Sequence, residues 1–152
     1  MGRATNGFAC LEHGRKFIGY DVFDKNVSRT KEVLDEYYPD SDYQLFHSDG
    51  TELAELSDKS EYLDGVVADP PYFLKCERYS TDERDLSGMS HEEQMDKMKN
   101  CFKQIYRLIK TSNFDEKIFY PVIFKVTHAR KGTRGIIDMD MEFQKIAHEV
   151  GF

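Results

Sequence analysis

Apolar and polar positions along the chain follow two alternating periods. Lys16-Phe17-Ile18-Gly19-Tyr20 is a short run of strand formers that stops at Asp21. It predicts a buried strand, because it is too short for a buried helix. Val27, Leu34 and Tyr37 then recur near helical spacing and predict a helix that Asp24 caps and that ends at Tyr38, with Pro39 just beyond. The strand period returns at Tyr43-Gln44-Leu45-Phe46-His47, which stops at Ser48-Asp49-Gly50. It returns again at Leu63-Asp64-Gly65-Val66-Val67-Ala68, which stops at Asp69. Ser90-His91-Glu92-Glu93 has the form of a capping box, and Met95, Met98, Phe102, Ile105 and Ile109 continue a helical stripe behind it. Ile118 to Val126 is apolar and rich in β formers, so a central strand is expected there, with Pro121 interrupting its ladder near the start. A last helix is expected from about Asp140 to Val150, with Phe143, Ile146, Ala147 and Val150 on one face and Gly151 as its stop.

Strands alternating with helices imply an α/β fold built on a parallel sheet with helices on both faces. In such sheets ligands bind beyond the carboxyl ends of the strands, where Asp21, Asp49 and Asp69 all fall. Residues 73–89 show no sustained apolar period. They read as a mobile loop, and a loop of that length next to a suspected site suits a lid or binding loop.

Composition narrows the classes. A length of 152 residues suits a single domain over 1–152, and a hydrophobic fraction of 39% excludes disorder throughout. No apolar run is long enough to span a bilayer, so no membrane partner and a cytoplasmic location are expected. Cys10, Cys76 and Cys101 are odd in number and far apart, which offers neither a disulfide framework nor a zinc pair, and no metal is expected. The net charge of −7 argues mildly against a phosphate-rich partner. Against that, Lys125, Arg130, Lys131 and Arg134 form a locally basic stretch without acidic residues; it reads equally as a solvated loop flank.

Three constellations carry chemistry. Asp69-Pro70-Pro71-Tyr72 follows an apolar strand. Its prolines fix φ and remove two N–H groups, so the turn is stiff and its carbonyls point in set directions. An amino group entering there could donate to the Asp69 carboxylate and the Pro70 carbonyl, while Tyr72 offers a flat face for an extruded base. The same residues also make an ordinary strand stop. Asp21 at a strand end suits ribose hydroxyls, or is simply solvated. Met1-Gly2-Arg3-Ala4-Thr5-Asn6-Gly7 is a small-residue turn before a helix-like stretch through Ala9, Cys10 and Leu11, and reads either as a close backbone approach to a ligand or as a chain end. A metal hydrolase, a serine hydrolase and a phosphate-binding NTPase loop are excluded: HExxH, GxSxG and GxxxxGK[ST] are absent.

Taken in order, Gly2-Arg3-Ala4-Thr5, Gly14-Arg15-Lys16-Phe17-Ile18-Gly19-Tyr20-Asp21, Asp49 and Asp69-Pro70-Pro71-Tyr72 resemble the amino-group DNA methyltransferases, which modify adenine N6 or cytosine N4. The resemblance covers most of residues 1–73 and, more loosely, the remainder. It implies a Rossmann-like methyltransferase fold, S-adenosyl-L-methionine as cofactor, and a flipped DNA base, adenine first, as substrate. In that family a glycine-rich loop holds the methionine part of the cofactor, and Gly2, Ala4 and Thr5 occupy its positions. Asp21 would bind the ribose, Val22 would pack on the adenine ring and Asp49 would meet the adenine amino group. The family's catalytic motif, (Asp/Asn/Ser)-Pro-Pro-(Tyr/Phe/Trp), is matched by Asp69, Pro70, Pro71 and Tyr72. Two departures accompany the match. The Asp-Pro-Phe segment on the family's first strand would precede Met1, so the resemblance leads one to expect that strand from a missing N-terminal segment or a partner chain. Ala4 also stands where a second loop glycine is usual. No separate target-recognition domain fits, which leaves Lys75, Arg78 and Arg84 in the loop, with Lys125, Arg130, Lys131 and Arg134, as the expected DNA contacts. The alternatives are cytosine N4, RNA or a protein glutamine as substrate, or a non-catalytic, partner-dependent module.

Overall fold

The structure is a computed structural model that describes residues 5–71, 79–109, 122–124, 129–130, 136–137 and 139–152, except the side chains of 129, 130, 136, 137, 139 and 140. In chain order the elements are α1 (Thr5–Glu12), β1 (Phe17–Asp21), α2 (Asp24–Tyr37), β2 (Tyr43–His47), a 3-10 turn (Ala54–Leu56), β3 (Val66–Ala68), a second 3-10 turn (Leu86–Gly88), α3 (His91–Leu108), β4 (Val122–Phe124), β5 (Ala129–Arg130), β6 (Ile136–Ile137) and α4 (Met139–Val150). The chain is thus mixed α/β. Where one mostly parallel sheet was expected, the described residues form three two-stranded sheets: β1–β2 and β3–β4 are parallel, and β5–β6 is antiparallel. β3 is short for local reasons. Leu63 bridges Ile109 instead of extending β3, and Pro70 and Pro71 have no N–H with which to continue it beyond Asp69. The chain divides into two units, Met1–Gly50 with Ser80–Arg84, and Thr51–Tyr79 with Asp85–Phe152.

In the first unit, β1 and β2 run in register from Phe17 opposite Tyr43 to Asp21 opposite His47. Helix α1 lies close enough to β1 that a Cβ on Gly7 would come within 2.6 Å of the Phe17 ring, so the bare backbone there is a packing requirement. The helix closes through Gly14, at φ 65°, whose N–H donates to the Leu11 carbonyl at 2.9 Å. Leu11 and Leu34 are buried, as is Thr30. The start of α2 differs from the expected Asp24 cap. The N-cap is Phe23, and Asp24 is already helical, where its charge favours the positive end of the helix dipole. The cap's own N–H is taken by Asp21 Oδ1 at 2.9 Å.

In the second unit the capping box at Ser90 and Glu93 is present in both directions, with the Ser90 hydroxyl accepting from the Glu93 N–H and the Glu93 carboxylate accepting from the Ser90 N–H. Hydrogen bonds to the Glu93 carboxylate from the Ser90 side chain and, next, from the Ser90 N–H hold that carboxyl below the usual range. Ser90→Ala should therefore cost about 1 kcal/mol, read as a lower urea midpoint at unchanged slope. The stripe behind the cap buries Met98, Cys101, Phe102, Ile105 and Leu108. Phe102 sits at the centre of the core: its ring stacks on Phe124 of β4 at 4.5 Å and meets Phe143 of α4 edge-on at 5.9 Å and Phe152 at 6.1 Å. At the far end of α3 the Arg107 guanidinium donates to the carbonyls of Leu56 and Ser57. The carbonyls of Arg107 and Leu108 in turn accept from the N–H groups of Glu61, Tyr62 and Leu63. The segment leading into β3 is thereby tied to the end of α3.

Candidate functional site

The carboxyl end of β1–β2 carries three of the expected cofactor residues. Asp21 is the last residue of β1, and its carboxylate accepts from the Phe23 N–H at 2.9 Å and from Asn26 Nδ2 at 3.1 Å, while its backbone carbonyl accepts from the Ser48 N–H at 3.1 Å. Its orientation is therefore set by its own loop. Val22 follows, half-buried. Asp49 lies in the turn after β2 and is buried at 5% exposure, with Gly50 beside it so close to β1 that a Cβ would stand 3.2 Å from Tyr20 Cβ. Thr5 is exposed at the start of α1. Gly2 and Ala4 lie outside the described residues.

Asp69 belongs to the second unit, where it is exposed directly after the last residue of β3, with Pro70 and Pro71 half-buried behind it. The register of β3 against β4, Val66 opposite Val122 through Ala68 opposite Phe124, fixes the point from which the Asp-Pro-Pro turn departs. Tyr72 lies outside the described residues, as do Lys75, Arg78, Lys125, Lys131, Arg134 and the side chain of Arg130. Comparison with protein-family models, with curated proteins and with solved structures finds no match.

Of the segment read as a mobile loop, residues 79–89 are described and form turns. The Asp82 carboxylate accepts from the Arg84 N–H at 2.8 Å and holds the Arg84 guanidinium with two bonds, at 2.9 and 2.7 Å. Asp85 is buried and accepts from both the N–H and the hydroxyl of Ser87. Arg84, expected to meet phosphate, is thus held by a carboxylate two residues away. That pairing, with the Arg84 N–H and a smaller contribution from His47, holds the Asp82 carboxyl far below the usual range. The stability it contributes is therefore present above the ordinary carboxylate range and is lost as pH falls through the depressed value. In Arg84→Ala, carboxyl-carbon NMR should show Asp82 titrating back toward that ordinary range; an unmoved titration would remove Arg84 as the cause.

Two residues that belong to no motif orient the loop at Asp21, namely Asn26 and His47. Asn26 lies five positions after Asp21 and in the first turn of α2, a spacing that brings a side-chain amide back onto the carboxylate. No group of three or more His, Cys, Asp or Glu among the described residues is placed to hold a metal ion. None of the described helices is long and apolar enough to cross a membrane.

Proposed function

We propose that this chain is the S-adenosylmethionine-binding and catalytic core of an amino-methyltransferase acting on a base of DNA, with adenine N6 as the first candidate. One observation carries the reading: Asp69-Pro70-Pro71 leaves the carboxyl end of a parallel strand with Asp69 exposed, the place where an α/β fold presents chemistry. The side chains in the first unit suit the adenosine half of the cofactor, with the Asp21 carboxylate to accept from ribose hydroxyls, Val22 for the face of the ring and the Asp49 carboxylate to accept from the base amine. Bound there, S-adenosylmethionine supplies a methyl group activated by a sulfonium.

The protein's part is positioning and charge. The Asp69 carboxylate and the Pro70 carbonyl accept the two N–H bonds of the target amine, which orients its nitrogen lone pair outward for in-line attack. As the amine nitrogen takes the methyl group, the broken S–CH3 bond leaves its electron pair on the departing thioether and positive charge grows on the nitrogen. The Asp69 carboxylate stabilises that charge and the surplus N–H proton is lost to water, without a covalent enzyme intermediate. A base removed from the duplex stack suits this geometry, because the exocyclic amine is then reachable on its Watson–Crick edge.

A second reading, a methyltransferase-like module that serves assembly or DNA recognition, draws on a specific observation. The Asp21 carboxylate already accepts from Phe23 and Asn26, and Asp49 is 5% exposed. Calorimetric titration with S-adenosylmethionine, followed by transfer of labelled methyl to adenine-containing DNA, separates the two. Saturable heat with label recovered on adenine supports the enzyme. The absence of both at millimolar cofactor supports the module, and label on RNA or a glutamine amide would change the substrate.

A further inference from the structure

His47 closes β2 opposite Asp21, and its Nε2 lies 3.1 Å from the carbonyl oxygen of Val22. A carbonyl can only accept, so the ring nitrogen facing it must carry the hydrogen. The ring's other nitrogen is 3.9 Å from the Asp24 carboxylate. The two residues between Asp21 and α2 are therefore held at successive points: the Asp21 carbonyl by the Ser48 N–H, the Val22 carbonyl by His47, and the Phe23 N–H by the Asp21 carboxylate. The Val22–Phe23 peptide is thus held at both ends, its N–H by the Asp21 carboxylate and its carbonyl by a side chain from the neighbouring strand. Fixing the peptide planes on both sides of a residue fixes the direction of its Cα–Cβ bond, and for Val22 the plane before it is held through the Asp21 carbonyl and the plane after it through His47 and Asp21.

We infer that His47 is a positioning residue for an adenosine-bearing ligand: its Nε2–H holds the Val22 carbonyl and so sets the apolar face on which the adenine ring packs. This rests on the proposed cofactor reading, and deepens it by naming a residue outside the motifs that suggested it. His47 does not touch the ligand in this role, so the donor atom matters and the imidazole ring does not.

The test uses S-adenosylhomocysteine as the probe, titrated calorimetrically into the wild-type chain, His47→Ala and His47→Gln. Glutamine places an amide donor close to the position of Nε2. Loss of one partly exposed hydrogen bond should raise the Kd of His47→Ala about fivefold, while His47→Gln stays within about twofold of wild type. Long-range proton–nitrogen NMR of the ligand-free protein should find the neutral ring protonated at Nε2. Wild-type affinity in His47→Ala, equal weakening in both variants, or an Nδ1-protonated ring would each overturn the role of His47 and leave the cofactor reading standing. Absence of any binding by the wild-type chain would overturn both.

Discussion

Asp69→Ala is expected to reduce methyl transfer by at least about 100-fold, the range seen when a group that acts on the reacting atoms is deleted. Asp69 is exposed directly after β3, so the substitution opens no cavity in the core. The adenosine contacts proposed in the first unit are other residues, so affinity for S-adenosylmethionine should change little. The effect then falls on kcat, as for an interaction made with the transferring amine. Asp69→Asn keeps one acceptor oxygen and should retain part of the activity. Equal activity in wild type and Asp69→Ala would remove Asp69 from the mechanism, whatever the substrate.

The second large effect is on stability. Phe102→Ala should cost about 3–5 kcal/mol, because it deletes a ring that is 4% exposed and leaves Phe124, Phe143 and Phe152 facing a void. A domain is typically stable by only about 5–15 kcal/mol, so the variant should unfold at much lower urea. Phe102→Leu fills part of the space and should lose distinctly less. A loss below about 1 kcal/mol for the alanine variant would mean that the aromatic stack is not what holds α3, α4 and β4 together.

The elements that a single periodicity determines were legible in the sequence. α3 is the clearest case, because its cap is written in four consecutive residues and its stripe in five apolar ones. β1 and β2 were legible from short apolar runs closed by Asp21 and by the Ser48-Asp49-Gly50 turn. What pattern could not show was how strands pair. Leu63 looked like part of a strand but spends its backbone on Ile109, which is distant in sequence, and β3 is left with Val66–Ala68. The helix start at α2 was displaced for a local reason: Asp24 has the right chemistry for a cap, but the helix begins one residue earlier, with Phe23 as its N-cap and the Phe23 N–H held by the Asp21 carboxylate. In the candidate site, Asp21, Asp49 and Asp69 could be picked out as strand-end carboxylates. Their surroundings could not, since the bonds to Asn26, Phe23 and Val22 depend on where side chains turn. Arg84 illustrates the limit: as a basic residue in a polar loop it suggested phosphate, and its bidentate partner was only two positions away.

The tie between the end of α3 and residues 61–63 has a consequence in time. The N–H groups of Tyr62 and Leu63 lie at 2.7 and 2.8 Å from the Leu108 carbonyl, in a stretch that otherwise has the character of a connection. Exchange with deuterium from solvent requires that these bonds open, and they close on a helix whose last turns are buried at Ile105 and Leu108. Their protons should therefore persist as long as those of α3 itself and longer than that of Lys59, whose N–H closes only a local turn onto the Leu56 carbonyl. The approach to Asp69 would then keep the clock of a helix, opening only when α3 does.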